Sequence, residues 1–290
     1  MTDEVRLRRG RGALGISFFA QGVAFALLVT RIPAIQDRYG ISDGLLPAFL
    51  AAVPVLAGAA SVATEHLVKR VAPSVVLRWA QPLVLLSLLG VGAGDQMWHV
   101  ALALGAFGLS VGALDASMNM LGVSLQQVYG RSIMLGFHAS YSLGGIVGAS
   151  AAWAGAHWHL GLFVSYLPAV AVLLPLTLWA SRAYVDRGAG GAGDVVEKGL
   201  GAGGFKLLLP LCLVMACAYI GDSTVANWSA KYLQDVLGSS EQLATVPYNV
   251  YMVTTLIGRA VGDLGVRRFG AAAVVRGGAV VAAAGFAVVA

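Results

Sequence analysis

Cysteine and charge are the scarce commodities of this chain. Its 290 residues include only two cysteines, and Asp, Glu, Lys and Arg together make up 11%. Cys212 and Cys217 sit in one apolar run five residues apart, so a helix turns them to different sides. A disulfide framework and a thiolate metal site are both excluded, and the pair reads as small core residues. So little charge cannot clothe a water-facing surface, which excludes an ordinary soluble domain. No glycine-rich loop ends in Gly-Lys-Ser/Thr, and neither HExxH, GxSxG nor a carboxylate cluster at metal spacing occurs. The sequence therefore offers no catalytic set, no cofactor site and no metal site, and it does not read as an enzyme.

Apolar residues are abundant instead, at 58%, with a mean hydropathy of +0.78. Runs of about 20 residues recur along the whole chain, each long enough to cross a hydrocarbon core of roughly 30 Å. They predict spans over 13–30, 44–63, 74–94, 98–123, 132–156, 159–181, 206–229, 245–266 and 271–290. The net charge of +5 is confined to short clusters between these runs and builds no stripe for nucleic acid. With the N-terminus cytoplasmic, every Lys and Arg except Arg31, Arg38, Lys231 and Arg259 falls on the inside. Arg31 precedes Pro33 at the outer end of the first span, where it is either a gate partner or a solvated interfacial charge.

The segment between Arg182 and Gly204 contains GAGGAGD and GLGAGG, a linker composition. It divides six spans from three, giving residues 1–186, a flexible loop 187–204 and residues 205–290. A shift of 198 residues lays EHLVKRVAPSVVLR (65–78) on DLGVRRFGAAAVVR (263–276), matching Glu65 to Asp263, Lys69 and Arg70 to Arg267 and Arg268, and Arg78 to Arg276. Such a repeat predicts two parallel halves of six spans. By that register about three spans, roughly 90 residues, of the second half lie beyond Ala290, as in a truncated product.

GRAVGDLGVRRFG (258–270) resembles the loop signature of the major facilitator superfamily; in the first half only Glu65 and the basic residues remain. TRIPAIQDRYGIS (30–42), DASMNMLGVSLQQVYGRSIMLGFHASYSLGG (115–145) and GDSTVANWSAKYL (221–233) are similar to bacterial inner-membrane carriers of the fucose permease and rhizopine-locus branch. The resemblance implies an all-α polytopic membrane protein with a complete six-helix N-terminal bundle and three helices of the C-terminal bundle. It also implies alternating access by rocking of the two bundles. Glu65, Arg70, Gly262, Asp263, Arg267 and Arg268 would form its conformational-gating loops. The fifth span lacks the Gly-Pro spacing of drug/proton antiporters, so efflux ranks last.

Charge inside hydrocarbon is costly, which singles out two acids. Asp115 shares a face of the fourth span with Asn119, and Asp222 lies in the seventh ahead of Asn227, Trp228 and Ser229. The fucose-permease resemblance implies a proton-coupling or substrate role for the Asp115–Asn119 pair; packing is the alternative for both acids. His138 is a proton-relay candidate or a structural hydrogen-bonding group. Tyr141 and Ser142 supply donors and acceptors near the level of Asn119, while Gly144, Gly145 and Gly148 read as a close helix contact. Gln21 with Phe25, and Tyr248 with Met252 and Asn249, are candidate cavity walls or ordinary packing. The expectation is a proton-coupled carrier for a sugar-like polar solute, monomeric, in the bacterial cytoplasmic membrane. The alternative is a non-transporting remnant that binds a ligand or partner.

Overall fold

The computed structural model describes residues 3–130, 133–186 and 202–289. Arg131, Lys198 and most of the expected flexible loop lie outside these residues, as do the side chains of Asp263 and Arg267. Helix is the only regular structure among the described residues. The long helices are α1 (Asp3–Val29), α2 (Leu46–Leu67), α3 (Pro73–Ala93), α4 (Met97–Tyr129), α5 (Met134–His157), α6 (Leu162–Ala180), α7 (Ala202–Asp235), α8 (Val246–Phe269) and α9 (Ala271–Val289). All nine predicted spans are helices, with changed ends. Residues 202–204 already belong to α7 rather than to a linker.

Seven of these helices, all but α5 and α8, are long and apolar enough to cross a membrane. The two exceptions are the more polar of the nine. Their polar residues have a physical home, because α5 and α8 pack on each other where the two halves meet. Backbone groups in hydrocarbon must be satisfied within the segment, which is why helices are the spanning element here.

In the first half, α1 is the central helix, packed chiefly on α5 and also touching α3, α4 and α6, while α2 and α3 flank α4. The α1–α5 contact is as close as the glycines suggested. A Cβ on Gly144 would stand 2.1 Å from the Phe19 carbonyl oxygen, and one on Gly22 would stand 2.1 Å from that of Tyr141. Gly145 performs the same service toward α8, where Met252 Sδ would be 2.6 Å from an added Cβ.

Local chemistry sets several boundaries. After α1 the chain turns at Thr30 and Arg31 and forms a short helix, Ile32–Tyr39, with Pro33 in its first turn and Gly40 closing it at φ 61. The helix α4 runs past its predicted end to Tyr129, where Gly130 closes it at φ 61, and Gln126 Oε1 accepts the Ile133 and Met134 N–H groups at 3.0 and 3.2 Å at the start of α5. Under the 198-residue shift, Pro73 falls on Ala271, the first residues of α3 and α9. The preceding helices end differently. Ala72, before a proline, is extended at ψ 138, whereas α8 runs to Phe269 and breaks at the single residue Gly270, φ 82.

Cys212 and Cys217 are both exposed on α7, which corrects their reading as core residues. That helix packs mainly through its C-terminal part, leaving its apolar sides bare.

Candidate functional site: a cavity between the halves

A cavity of about 630 Å³ lies between the first half and α7, within the range of small-molecule sites. Much of its wall is apolar, with Phe18 and Phe25 from α1 and Leu50 and Val53 from α2. Polar groups enter from several helices: Gln21 from α1, Asp115 from α4, His138 and Tyr141 from α5, Asp222 and Asn227 from α7, and Arg259 from α8.

Asp115 is open to the cavity, and its Oδ1 accepts a 3.0 Å hydrogen bond from Gln21 Nε2. Gln21 is 5% exposed, so the amide is fixed by packing and presents the carboxylate. Asp222 lies thirteen residues before the end of α7, about 20 Å along the axis. The predicted span ended near Trp228, but the helix continues to Asp235, which places Asp222 well inside it. The hydroxyl of Tyr251 on α8 donates to Asp222 Oδ1.

Several of the other expected site residues stand outside the cavity lining, at the α5–α8 contact. Asn119 shares the face of Asp115 but donates to the Asp115 backbone carbonyl at 2.9 Å. Asn249 donates to Ser150 Oγ at 3.0 Å, joining α8 to α5. Tyr248 and Met252 are 2% and 5% exposed and pack at the same junction. Ser142 is buried and accepts from Arg259. In the repeat segments, Glu65 and Arg70 are exposed, Gly262 has room for a Cβ, and the Arg268 guanidinium lies 5.5 Å over the Phe269 ring.

Sequence reasoning left Arg259 without a role. Its Nη1 donates to the His138 carbonyl at 2.6 Å and to Ser142 Oγ, so α8 grips α5 through a cation beside the cavity. The available signal was a lone Arg in the eighth span. Of the two readings of Arg31, the solvated interfacial charge is excluded, since the residue is 3% exposed. Its Nη2 pairs with Glu241 at 3.0 Å, and its guanidinium also donates to the Ala152 and Leu160 carbonyls at 3.4 and 3.3 Å. Beside it, Lys231 of α7 reaches Asp43 at 2.9 Å and Gln36 Oε1 at 2.9 Å. Both ion pairs between the halves, among the described residues, join the segment that follows α1 to the last turns of α7 and to the short helix Glu241–Ala244. Hydrogen bonds from Lys231, then from Gln36, hold the Asp43 carboxyl below its ordinary range.

No family model matches the chain. An uncharacterized MFS-type transporter of Yersinia pestis is 29% identical over 271 residues, covering 93% of this chain and 69% of that protein. An uncharacterized transporter of Sinorhizobium fredii is 25% identical over 267 residues, covering 89% and 68%. Among solved structures, a mutant of the nucleoside transporter NupG aligns with a TM-score of 0.62 at 13% identity, over 90% of this chain and 69% of that one. A second NupG structure gives 0.58 at 14%, over 90% and 68%. With the apolar helices and the two-half architecture, these likenesses make the chain an all-helical, multi-pass membrane protein with the major facilitator fold, a six-helix first half followed by three helices of the second.

Proposed function

We propose that this protein carries a small polar organic solute across the bacterial cytoplasmic membrane, with its N-terminus inside, by alternating exposure of the cavity to either side. The single observation behind this reading is the convergence of Gln21 and Asp115 from one half with Asp222 and Asn227 from the other on one 630 Å³ space. A solute held there touches both halves, so its binding free energy can differ between two arrangements of them. The relatives' description as transporters points the same way.

Sugar-like solutes suit the mixture of amide, carboxyl and aromatic groups, since each hydroxyl needs a donor or acceptor and each apolar sugar face needs an aromatic or aliphatic wall. Import driven by protons is the direction we assign. Asp115 or Asp222 takes up a proton when the cavity faces the acidic side, and neutralisation of the carboxylate changes the relative stability of the two arrangements. The conformation described here is latched at the Arg31 end, which in this reading is the outer end.

The test is a thermal-stability screen of the purified chain with monosaccharides, polyols and nucleosides. One of them should raise the unfolding temperature in proportion to its concentration. The shift should be lost in Gln21→Ala. Failure of every polar solute to stabilise the protein, or an undiminished shift in Gln21→Ala, contradicts the reading.

A further inference from the structure

The first turns of α1 are strongly basic, with Arg6, Arg8, Arg9 and Arg11 ahead of the long apolar run that begins at Ala13. Arg8 is largely exposed and meets Glu4 at 2.6 Å. Arg11 is partly buried, its guanidinium 6.0 Å over the ring of Tyr129 at the end of α4. A second cavity of about 680 Å³ opens here between α1 and the start of α5. Arg8 and Arg11 line it together with the apolar side chains of Ile16, Phe19, Phe137 and Leu143.

Glycine makes the groove wide. A Cβ on Gly12 would meet nothing within 4 Å, and one on Gly15 would meet only Ser140 Oγ at 3.8 Å. These glycines are not the close-contact type found deeper along α1, where Gly22 touches the backbone of α5. The groove is also separate from the transport cavity. Ser140 and Leu143 project from the side of α5 opposite Ser142 and Gly145, which face α8, and Leu143 is 49% exposed.

Eight residues separate Arg11 from Phe19, about 12 Å along the helix. The two guanidinium groups thus stand at one end of an apolar trough. Ser140 donates its hydroxyl to the Gly136 carbonyl at 3.0 Å, and the cationic donors of the groove are the guanidinium groups of Arg8 and Arg11. We propose that this groove holds an anionic phospholipid, its phosphate on Arg8 and Arg11 and one acyl chain along Ile16, Phe19 and Leu143. A free phosphate would satisfy the guanidinium groups and leave the trough empty, whereas a lipid satisfies both. Basic pockets between spanning helices have the chemistry that anionic headgroups require, and arginine offers the planar fork that grips a phosphate.

The experiment is thermal unfolding of the full chain in a neutral detergent, followed by tryptophan fluorescence, with added phosphatidylglycerol, phosphatidylcholine or inorganic phosphate. Phosphatidylglycerol should raise the unfolding temperature by about 3 °C or more at saturation. Phosphatidylcholine and inorganic phosphate should leave it unchanged. Two variants remove the effect by different means: Arg8→Gln with Arg11→Gln takes away the charge, and Gly12→Leu with Gly15→Leu fills the trough without a backbone clash. The second pair should fold at least as well as the parent, because leucine is a better helix former than glycine. An equal shift with phosphatidylcholine or with inorganic phosphate, no shift with phosphatidylglycerol, or a phosphatidylglycerol shift that survives the leucine pair overturns the proposal.

Discussion

Arg31 at the end of α1 and Glu241 in the short helix Glu241–Ala244 form an ion pair of 3.0 Å across the boundary between the two halves. The Arg31 side chain is only 4% exposed, while that of Glu241 is 36% exposed. The pair is therefore asymmetric. Removing the acid leaves a guanidinium in a dry setting with two long carbonyl contacts, which is worse than removing both partners.

Glu241→Gln should accordingly loosen the closed end by about 1–3 kcal/mol. In a background with Cys212 and Cys217 replaced by serine, a cysteine at Asn227 should be alkylated from the Arg31 side roughly tenfold faster in this variant. An alkylation rate unchanged by Glu241→Gln would mean that the pair does not hold this end shut.

The neighbouring Lys231–Asp43 contact sets a pH expectation. The depressed pKa of Asp43 means that its contribution is fully present above the ordinary aspartate value of about 3.9 and is lost as pH falls through the lowered one. Between pH 5 and 8 the contact should not titrate. NMR of the labelled Asp43 carboxyl should place its midpoint below that ordinary value in the parent. In Lys231→Met the midpoint should rise, and a parental midpoint at or above the ordinary value would contradict the contact.

The glycines of α1 and α5 should split into two classes. Gly144→Ala on the facing helix forces a Cβ toward a carbonyl oxygen at 2.1 Å and should cost about 1–3 kcal/mol, while Gly12→Ala, with open space around it, should gain about 1 kcal/mol. Thermal unfolding of the two single variants measures both. Equal effects would show that α1 and α5 are not in close contact.

What was legible in the sequence was whatever short-range chemistry decides. Runs such as residues 74–94 announce helices by length, and Gly144, Gly145 and Gly148 announced a close contact because four-residue spacing puts small groups on one face. Asp115 was legible as a cavity residue because a carboxyl in an apolar run has few other homes. Partners far apart in the chain were not legible. Nothing near Arg31 names Glu241, nothing near Lys231 names Asp43, and Asn119 gave no sign that its amide would turn to its own helix rather than to the cavity. The short helix Ile32–Tyr39 was hidden as well, since its basic and acidic residues read as a loop until its buried Ile32, Ile35 and Tyr39 are seen on one side.

The matching repeat segments predict one sidedness. Cysteines placed at Arg70 and Arg268 should react with an impermeant maleimide only after the cytoplasmic face is exposed, because short basic loops stay inside. Reaction of either from outside intact cells would remove the assigned topology.

The most direct measurement of the central claim uses proteoliposomes, the stabilising solute in radiolabelled form, and an imposed proton gradient. Asp115→Asn keeps the shape of the side chain and its hydrogen bond with Gln21 but fixes the position in an uncharged form. The account predicts that wild type both exchanges the solute and accumulates it uphill, whereas Asp115→Asn exchanges but does not accumulate. Uphill accumulation by Asp115→Asn with an unchanged pH dependence would contradict the coupling role given to Asp115.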